Sequence, residues 1–532
     1  MTSTTAIMPT FTQREIVSIV LGLVLAIFLS GLDQTIIATS LSTMARDLNG
    51  WATMSWVVSA YLVASTVTTP IYGRLSDIFG RRKILLISIG LFVGASVLCA
   101  LSQTMLQLIV ARTLQGVGGG GLRSVSQAAV ADIISPRERG KYQGYFATVM
   151  AVANVAGPVL GGVFAKDLSW HWIFWINIPL GFLAMFLCDR NLRRLPLPRR
   201  RPRIDWIGAV LIIAAATPLL LGMSRVEAAG SWLRADVLIP IVVGLVFMAI
   251  LLAWERTTRD AMIPLRLFGN SIFSVCSLIT FTMSMVMIGL IILVPLAFEL
   301  VGGLSPDDAG VRLIPMTGGT VMGAFFTGQL ITRTGSYRIF PIIGAGTMTV
   351  MCIALAWFGL GHSLVLDTLL TLLLGISFGF QLPSMVVPAQ NALDFADTGI
   401  GLATIMFFRL IGGAFGVALL TAVLMAELNV TALATPGHEA LGPEPGLALL
   451  HLELAGTAPA ALLAQLGGAM RTAFAHVFLY AGIIAGITFA GALFLKEVPL
   501  RGGAAPATSP PVEPNPVAAA SDARSATASR PG

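Results

Sequence analysis

Fourteen apolar segments, each long enough to cross a membrane as a helix, occupy most of this chain of 532 residues. The hydrocarbon core of a bilayer is about 30 Å thick, so a helix needs about 20 predominantly apolar residues to span it. Hydrophobic residues make up 56% of the chain and charged residues 11%, which excludes a water-soluble protein of this size. The predicted fold class is therefore all-α integral membrane, with 14 transmembrane helices. The segments lie at roughly 16–38, 52–72, 84–102, 105–130, 142–165, 171–189, 205–224, 236–254, 271–298, 309–331, 339–360, 364–388, 398–425 and 472–495.

The basic residues predict the orientation of the chain. Loops after the second, fourth, sixth, eighth and tenth segments carry 19 Lys or Arg residues, and the loops after odd-numbered segments carry 5. Because Lys and Arg near span ends are retained on the cytoplasmic side, both termini are predicted to be cytoplasmic. We therefore expect a multi-pass protein of the plasma membrane, more specifically of a bacterial inner membrane.

One cytoplasmic loop occurs twice. "GRLSDIFGRRK" runs from Gly73 to Lys83 and "GQLITRTGSYR" from Gly328 to Arg338, with Gly, Leu and Gly at offsets of zero, two and seven. Each copy follows the second helix of a six-helix group, which an internal duplication explains. The predicted organisation is a six-helix bundle at 1–203, two inserted helices at 204–258, a second bundle at 259–496 with a long outer loop at 426–470 that could form a short surface helix, and a disordered tail at 497–532.

Several motifs resemble those of the major facilitator superfamily, in particular its fourteen-span drug:proton antiporters of the multidrug efflux type. The first loop copy is similar to the signature loop of the superfamily, and "LIVARTLQGVGGG" (Leu108–Gly120) to its fourth-span motif. "GYFATVMAVANVAGPVLGG" (Gly144–Gly162) resembles the fifth-span antiporter motif, although Ala153 stands where Gly is usual. "GLDQTIIATSL" (Gly31–Leu41) resembles the first-span motif, and "HWIFWINIPLG" and "RLIGGAFGVAL" also look like that subfamily. The resemblance implies the major facilitator fold, two six-helix bundles with two extra linker helices.

Two ionisable residues are the predicted proton-coupling pair. Asp33 and Arg112 lie in apolar segments at comparable depth from the outer side, and each needs a partner there. The resemblance places Asp33 at the ionisable position of the first span and implies a role for Arg112 in proton transfer. Our hypothesis is that protonated Asp33 releases Arg112 or substrate and that deprotonated Asp33 recaptures it. The alternatives are a carboxylate that reaches interfacial water and an arginine held in a purely structural ion pair.

The predicted substrate-binding residues are Arg123, Gln34 and Glu299. Arg123 follows Arg112 by three helical turns, so both face nearly the same direction. A second cation there would favour anionic or zwitterionic substrates, and the alternative is an ion pair with Asp132. Glu299, where the resemblance implies Gln, is either a cation site or a solvated residue at the end of its span.

The first loop copy predicts a cytoplasmic gate formed by Gly73, Asp77, Gly80, Arg81 and Arg82. Asp77 can cap a neighbouring helix and pair with Arg81, Arg82 or a basic residue of the other bundle, which would hold one conformation closed. In the second copy a threonine replaces the acid, which puts an equivalent ion pair on that side in question.

The fifth-span motif predicts a hinge formed by Gly157, Pro158, Gly161 and Gly162. Glycines let membrane helices approach closely, and Pro158 removes one helical hydrogen bond, so we expect this span to bend. For any single glycine, ordinary membrane packing is the alternative.

The remaining motifs exclude enzymatic and ATP-driven functions. The five histidines are scattered without a HExxH pattern, and there is no GxxxxGK phosphate loop. We expect no enzyme activity, no cofactor, no metal site and no nucleic-acid partner. The predicted function is proton-coupled export of hydrophobic small molecules by alternating access, with the lipid bilayer, protons and a periplasmic adaptor as candidate partners. The alternatives are a proton-coupled transporter of an organic anion or siderophore, and a non-transporting membrane sensor or scaffold.

Overall fold

The computed structural model describes residues 12–37, 40–50, 53–134, 136–194, 205–229, 234–258, 261–361, 363–394, 397–434 and 460–500. Within these ranges the chain forms helices joined by turns and contains no β-strand. The fourteen principal helices are α1 (Gln13–Ile36), α2 (Ser55–Phe79), α3 (Arg81–Ala100), α4 (Met105–Ile133), α5 (Pro136–Asp167), α6 (Asn177–Asn191), α7 (Trp206–Ala229), α8 (Ala235–Thr257), α9 (Ser271–Leu300), α10 (Ile314–Thr334), α11 (Ile339–Phe358), α12 (Leu364–Asn391), α13 (Thr398–Ala434) and α14 (Ala460–Leu493).

A helix coincides with each of the fourteen predicted segments, but not all of them are apolar enough to identify as membrane spans. Of the helices in the described ranges, eleven have the length and hydropathy needed to cross a bilayer. The other three are α2, which is rich in Ser and Thr, and α4 and α10, which combine four or more glycines with polar residues. The prediction of an all-helical, multi-pass membrane fold is confirmed, whereas the count of fourteen crossings stays a prediction.

The first six and the last six helices have the same set of neighbours. In the first group α1 packs on α5 and α6, α2 packs on α4, and α3 packs on α4 and α6. In the second group α9 packs on α13 and α14, α10 packs on α12, and α11 packs on α12 and α14. This correspondence is what a duplicated six-helix unit produces.

The two six-helix groups meet through two equivalent helix pairs. The second helix of each group packs on the fifth helix of the other, giving the pairs α2–α13 and α5–α10. Helix α7 packs on α8 and lies against the α2–α13 pair, where Ile212 and Leu220 join Val67 and Ile411 in one apolar cluster. The outward faces carry many exposed apolar side chains, as expected where lipid replaces water.

Two predicted boundaries differ from the structure. Helix α13 continues to Ala434 and α14 begins at Ala460, so both ends of the predicted outer loop at 426–470 are helical. The Ala and Leu residues at these ends are strong helix formers, which explains why the helices continue beyond their apolar segments. Residues 435–459, where the surface helix was predicted, lie outside the described residues.

The start of the predicted disordered tail is also bound to the protein. In the segment 497–500, the Glu497 carboxylate accepts a hydrogen bond from the Tyr337 amide (3.2 Å), and Asn391 Nδ2 donates to the Pro499 carbonyl (3.2 Å). These contacts order the chain just beyond α14. The rest of the tail, 501–532, lies outside the described residues.

Candidate functional site

Asp33 and Arg112 form a buried ion pair inside the first six-helix group. Arg112 Nη1 lies 2.6 Å from Asp33 Oδ2, and the two residues are 1% and 0% exposed. The other carboxylate oxygen, Oδ1, accepts from Gln115 Nε2 at 2.8 Å and from Asn177 Nδ2 at 3.0 Å. Three donors from α4 and α6 therefore face one carboxylate of α1, an arrangement that stabilises its ionised form.

Arg112 has other contacts besides Asp33. Its Nη1 also donates to Gln115 Oε1 (2.6 Å), and its Nε donates to the Val57 carbonyl of α2 (3.2 Å). The guanidinium stacks over the Tyr61 ring at 4.2 Å from its centroid, a cation–π contact. The arginine is therefore held on α2 and α4 even without the carboxylate, so protonation of Asp33 would free α1 more than it would free Arg112.

Arg123 and Gln34 form a second contact between α4 and α1. Arg123 Nη2 donates to Gln34 Oε1 at 2.7 Å, and Gln34 is the residue after Asp33 in α1. The alternative partner predicted for Arg123, Asp132, instead accepts from Arg81 Nε at 2.8 Å. The predicted ion pair between Arg123 and Asp132 is therefore wrong, because Asp132 is paired with Arg81 at the start of α3. The two arginines of α4 thus contact two adjacent residues of α1.

Arg409 of α13 approaches Arg123 from the other six-helix group. Helices α4 and α13 pack together, so the two arginines lie on contacting helices of opposite groups. In the described part of the chain Arg409 makes no hydrogen bond and no ion pair. A small cavity beside it, of about 10 Å³, is lined by Thr280 and Gln381 together with three methionines. That volume corresponds to about one water molecule.

The predicted cytoplasmic gate residues lie at the contact between α2 and α13. Asp77 pairs with Arg81 at 2.5 Å, and its other carboxylate oxygen accepts from the backbone N–H of Ile400 in the first turn of α13 (2.9 Å). An acid at a helix N-terminus is favoured both by the free N–H groups and by the helix dipole. This contact joins the end of α2 to the start of α13 in the other six-helix group.

The other gate residues have distinct contacts. A side chain on Gly73 would overlap Ala403, so the glycine permits close approach of α2 and α13. Gly80 has a φ of +89°, a conformation that favours glycine. Arg82 does not contact Asp77 but pairs with Asp189 at the end of α6 (2.5 Å), so it fastens α3 to α6 within one group.

The predicted hinge residues of α5 differ in how closely they are packed. A side chain on Gly157 would overlap Thr35 of α1, and Ser40 Oγ donates to the Gly161 carbonyl at 2.9 Å. At Gly162 an added methyl group would meet no atom within 4 Å, so close packing does not require this glycine. The helix continues across Pro158 without interruption.

Glu299 lies apart from these residues. It is half-buried near the end of α9, and its carboxylate makes no hydrogen bond or ion pair within the described residues. The structure brings Asp33, Arg112, Gln34 and Arg123 together and leaves Glu299 out. In the described ranges there is also no group of three or more His, Cys, Asp or Glu side chains placed to hold a metal ion.

Sequence comparison places this arrangement in a known family. The family model of the Major Facilitator Superfamily matches residues 23–417. The chain belongs to this superfamily. Multidrug resistance protein 3 of Bacillus subtilis (strain 168) is 30% identical over 471 residues, which cover 87% of this chain and 92% of the relative. The multidrug transporter protein MdtP of the same organism is 32% identical over 422 residues, covering 78% and 76%.

Solved structures of the superfamily share the fold. The proton:xylose symporter XylE has a TM-score of 0.57 at 14% identity, covering 90% of this chain and 97% of that one. The human organic anion transporter MFSD10 has a TM-score of 0.56 at 16% identity, covering 88% and 99%. The family and its relatives show that the chain is a multi-pass transporter of the multidrug efflux type and not an enzyme.

Three contributors to the site were not predicted from the sequence. Gln115 and Asn177 are neutral, and a neutral polar residue in a membrane helix is hard to distinguish from ordinary packing. The position of Gln115 three residues after Arg112 was a usable signal, because that spacing puts both on one helix face. Arg409 opens the quoted "RLIGGAFGVAL" motif, and an arginine within an apolar segment is itself a reason to expect function.

Proposed function

We propose that this chain is a fourteen-span antiporter that exports hydrophobic small molecules in exchange for protons. The observation that carries the proposal is the Asp33–Arg112 pair, a fully buried acid whose only charged partner in the described chain is one arginine. An acid inside a membrane helix is costly, and a family of transporters is the setting in which such a group serves as a proton carrier. Three helices too polar for a hydropathy assignment, α2, α4 and α10, would supply the remaining crossings.

The exchange would work through competition for one carboxylate. Proton binding neutralises Asp33, which removes its attraction for Arg112 and weakens its hydrogen bonds from Gln115 and Asn177. Arg112 keeps its contacts with α2 and α4, so α1 is the element released. Because α1 also carries Gln34, movement of α1 would change the hydrogen bond between Gln34 and Arg123. Protonation and substrate binding would in this way act on the same helix.

The closed contact at Asp77 fits the other half of the cycle. The contact between α2 and α13 lies at the predicted cytoplasmic ends of the two groups. While it is formed, a passage between the two groups would be closed on the cytoplasmic side. Alternating access requires this contact to separate when the outer side closes. The gate glycines and the hinge in α5 would permit that rocking movement.

One proton supplies enough energy for the task. A membrane potential of 100 mV contributes about 2.3 kcal/mol per charge, and one pH unit adds about 1.4 kcal/mol. Together they sustain a substrate gradient of a few hundredfold, at about 1.4 kcal/mol per tenfold. A single exchanging carboxylate is therefore sufficient.

The test is an Asp33→Asn variant reconstituted in vesicles. We expect substrate accumulation driven by a pH gradient to fall by at least about tenfold, because the amide cannot exchange a proton. Exchange of substrate for substrate without a gradient should persist. The matched control is Asp367→Asn, which removes a second buried acid that is also paired with an arginine, Arg312, but lies in the other group.

The outcomes separate the candidate functions. Undiminished pH-driven accumulation in Asp33→Asn would refute the proton-carrier role, and equal loss in both variants would indicate a general effect of removing a buried acid. The direction of movement in inverted vesicles distinguishes export from uptake by symport. A sensor or scaffold predicts no substrate flux after a pH jump.

A further inference from the structure

Two half-buried arginines, on packed helices of opposite six-helix groups, have no acidic partner among the described residues. Arg123 comes from α4 and Arg409 from α13, and neither pairs with a carboxylate among the described residues. Arg123 donates only to the neutral Gln34 oxygen, and its Nε is buried without a hydrogen-bond partner. Arg409 makes no hydrogen bond in the same part of the chain. The pair therefore carries two uncompensated positive charges.

The surrounding acids are already engaged. Asp33, the neighbour of Gln34 in α1, is bound by Arg112, while Asp77 and Asp132 are bound by Arg81. A charge that is partly removed from water without an opposite charge is unfavourable, and a second like charge nearby adds to the cost. Such an arrangement is stabilised when an anion enters between the two guanidinium groups, which are well suited to carboxylates, sulfonates and phosphates.

The cavity beside Arg409 contains further groups that lack partners. Thr280 and Gln381 line the cavity and are buried. Thr280 Oγ1 and Gln381 Oε1 have no hydrogen-bond partner within the described residues. A hydroxyl can donate to an anion, and an amide oxygen can accept from a donor on a ligand. The rest of the wall includes Met283 and Met406, whose flexible side chains adapt to apolar ligands of different shape.

We propose that the transported molecules are amphipathic organic anions, bound with the negative group between Arg123 and Arg409 and the apolar body against the methionine-lined wall. Transport of these anions rests on the proposed function, whereas their binding at this site does not. The cavity holds about one water in the closed arrangement described, so the two groups must separate before such a ligand enters.

The position of Arg123 connects this site to the proton carrier. Its only side-chain hydrogen bond in the described ranges is to Gln34, the neighbour of Asp33 in α1. An anion draws Arg123 away from Gln34, which releases one of the contacts that fix α1. Export of a monoanion against one entering proton moves two charges in the same electrical sense, so the membrane potential drives it more strongly than it drives export of a neutral molecule.

The experiment compares two rigid probes of opposite charge, naphthalene-2-sulfonate and trimethyl(2-naphthyl)ammonium. Binding to the purified full chain in nanodiscs is measured by calorimetry with no ion gradient. We expect the sulfonate to bind at least about tenfold more tightly than the ammonium compound. Arg123→Gln and Arg409→Gln should each weaken sulfonate binding by about tenfold or more, and Arg409→Lys should retain part of it, because a charge remains without the planar fork.

The control variant is Arg471→Gln, which removes an exposed arginine of α14 outside the proposed site and should leave sulfonate binding unchanged. Thermal unfolding of each variant verifies that it is folded. The inference is overturned if the ammonium probe binds as tightly as the sulfonate, or if folded Arg409→Gln and Arg123→Gln bind the sulfonate as the unmodified chain does.

The Asp33→Asn variant separates this inference from the proposed function. We expect it to bind the sulfonate within a few-fold of the unmodified chain and to lose accumulation driven by a pH gradient. Charge-selective binding together with undiminished accumulation in Asp33→Asn would refute the proton-carrier role alone. Proton-coupled transport of the ammonium probe without sulfonate binding would refute the anion site alone.

Discussion

The two copies of the repeated loop keep their glycines in equivalent places but differ in their charges. Gly80 ends α2 with a φ of +89° and Gly335 ends α10 with a φ of +75°, and each amide donates to the carbonyl four residues earlier. The first glycine of each copy also has the same task, since Gly73 lies against α13 and Gly328 against Gly140 of α5. The turn and the close helix contact explain why both copies keep these glycines.

The side chains at the fifth position of each copy separate them. Asp77 joins Arg81 and the first turn of α13, which lies in the opposite six-helix group. Thr332, in the equivalent place, donates to the Gly328 carbonyl of its own helix at 2.8 Å. The close backbone contact is thus common to both sides of the protein, whereas an acid occupies the fifth position only in the first copy. Separation of α2 from α13 should therefore depend on Asp77 more than separation of α5 from α10 depends on Thr332.

The largest expected effect is the difference in transport rate between Asp77→Ala and Thr332→Ala, which each remove the side-chain oxygens at the fifth position of a copy. Asp77→Ala breaks a largely buried ion pair and a hydrogen bond to Ile400, a loss of about 2–5 kcal/mol for such pairs. We expect the initial transport rate in vesicles to fall by tenfold or more. Thr332→Ala removes a hydrogen bond inside one helix and should change the rate by less than about twofold.

Asp77→Asn sharpens this comparison because it keeps an acceptor for the Ile400 amide and removes the charge. An intermediate rate would indicate that both contacts contribute. Hydrogen exchange at the Ile400 amide, which donates to Asp77, reports this contact directly and should be faster in Asp77→Ala. Equal loss of transport in Asp77→Ala and Thr332→Ala would contradict the asymmetry.

The sequence predicts where each principal helix lies, but it does not predict where each one ends. Apolar length alone placed all fourteen helices, because a helix that crosses a bilayer needs about 20 such residues. The ends of α13 and α14 could not be placed this way, since helix-forming Ala and Leu residues continue past the membrane without a stop signal. The hydropathy of α2, α4 and α10 is lowered by the same glycines and polar groups that build the contacts between helices.

The candidate site was predictable where a charge was involved. Asp33 and Arg112 could be paired from their matching depths, because each charge needs a partner in an apolar helix. The neutral residues Gln115 and Asn177 could not, since nothing in a single sequence shows which polar groups in distant helices meet. Arg409 is the instructive omission: its charge was visible, but only the fold shows that it faces Arg123 across the two groups.

A second prediction compares the glycines that end α2 and α10. Gly335 has a left-handed helical conformation that asparagine tolerates, so Gly335→Asn should cost less than about 1 kcal/mol. Gly80 combines its positive φ with a ψ of 145°, a region nearly restricted to glycine, so Gly80→Asn should cost about 1–3 kcal/mol. Thermal unfolding in detergent should show a clearly lower midpoint for Gly80→Asn alone. Equal midpoints would mean that the two turns are interchangeable.

The smallest expected effects concern how each copy is fastened to the last helix of its own group. Arg82 reaches Asp189 at the end of α6 with a side chain that is 41% exposed, so Arg82→Ala should cost less than about 1 kcal/mol. Tyr337, one position before the end of the second copy, is buried; its hydroxyl donates to the Lys496 carbonyl (3.0 Å) and accepts from the Val498 amide (2.8 Å).

Tyr337→Phe removes both of these hydrogen bonds and keeps the ring, so we expect a loss of about 1–3 kcal/mol, larger than that of Arg82→Ala. Proteolysis of the segment after α14 in folded protein provides the local readout, because only the tyrosine variant should release Lys496 and Val498. The exposed ion pair should also weaken with added salt, whereas the buried hydroxyl should be insensitive to it. If Arg82→Ala proved the more destabilising change at high salt, the exposed pair would be doing structural work that its exposure does not predict.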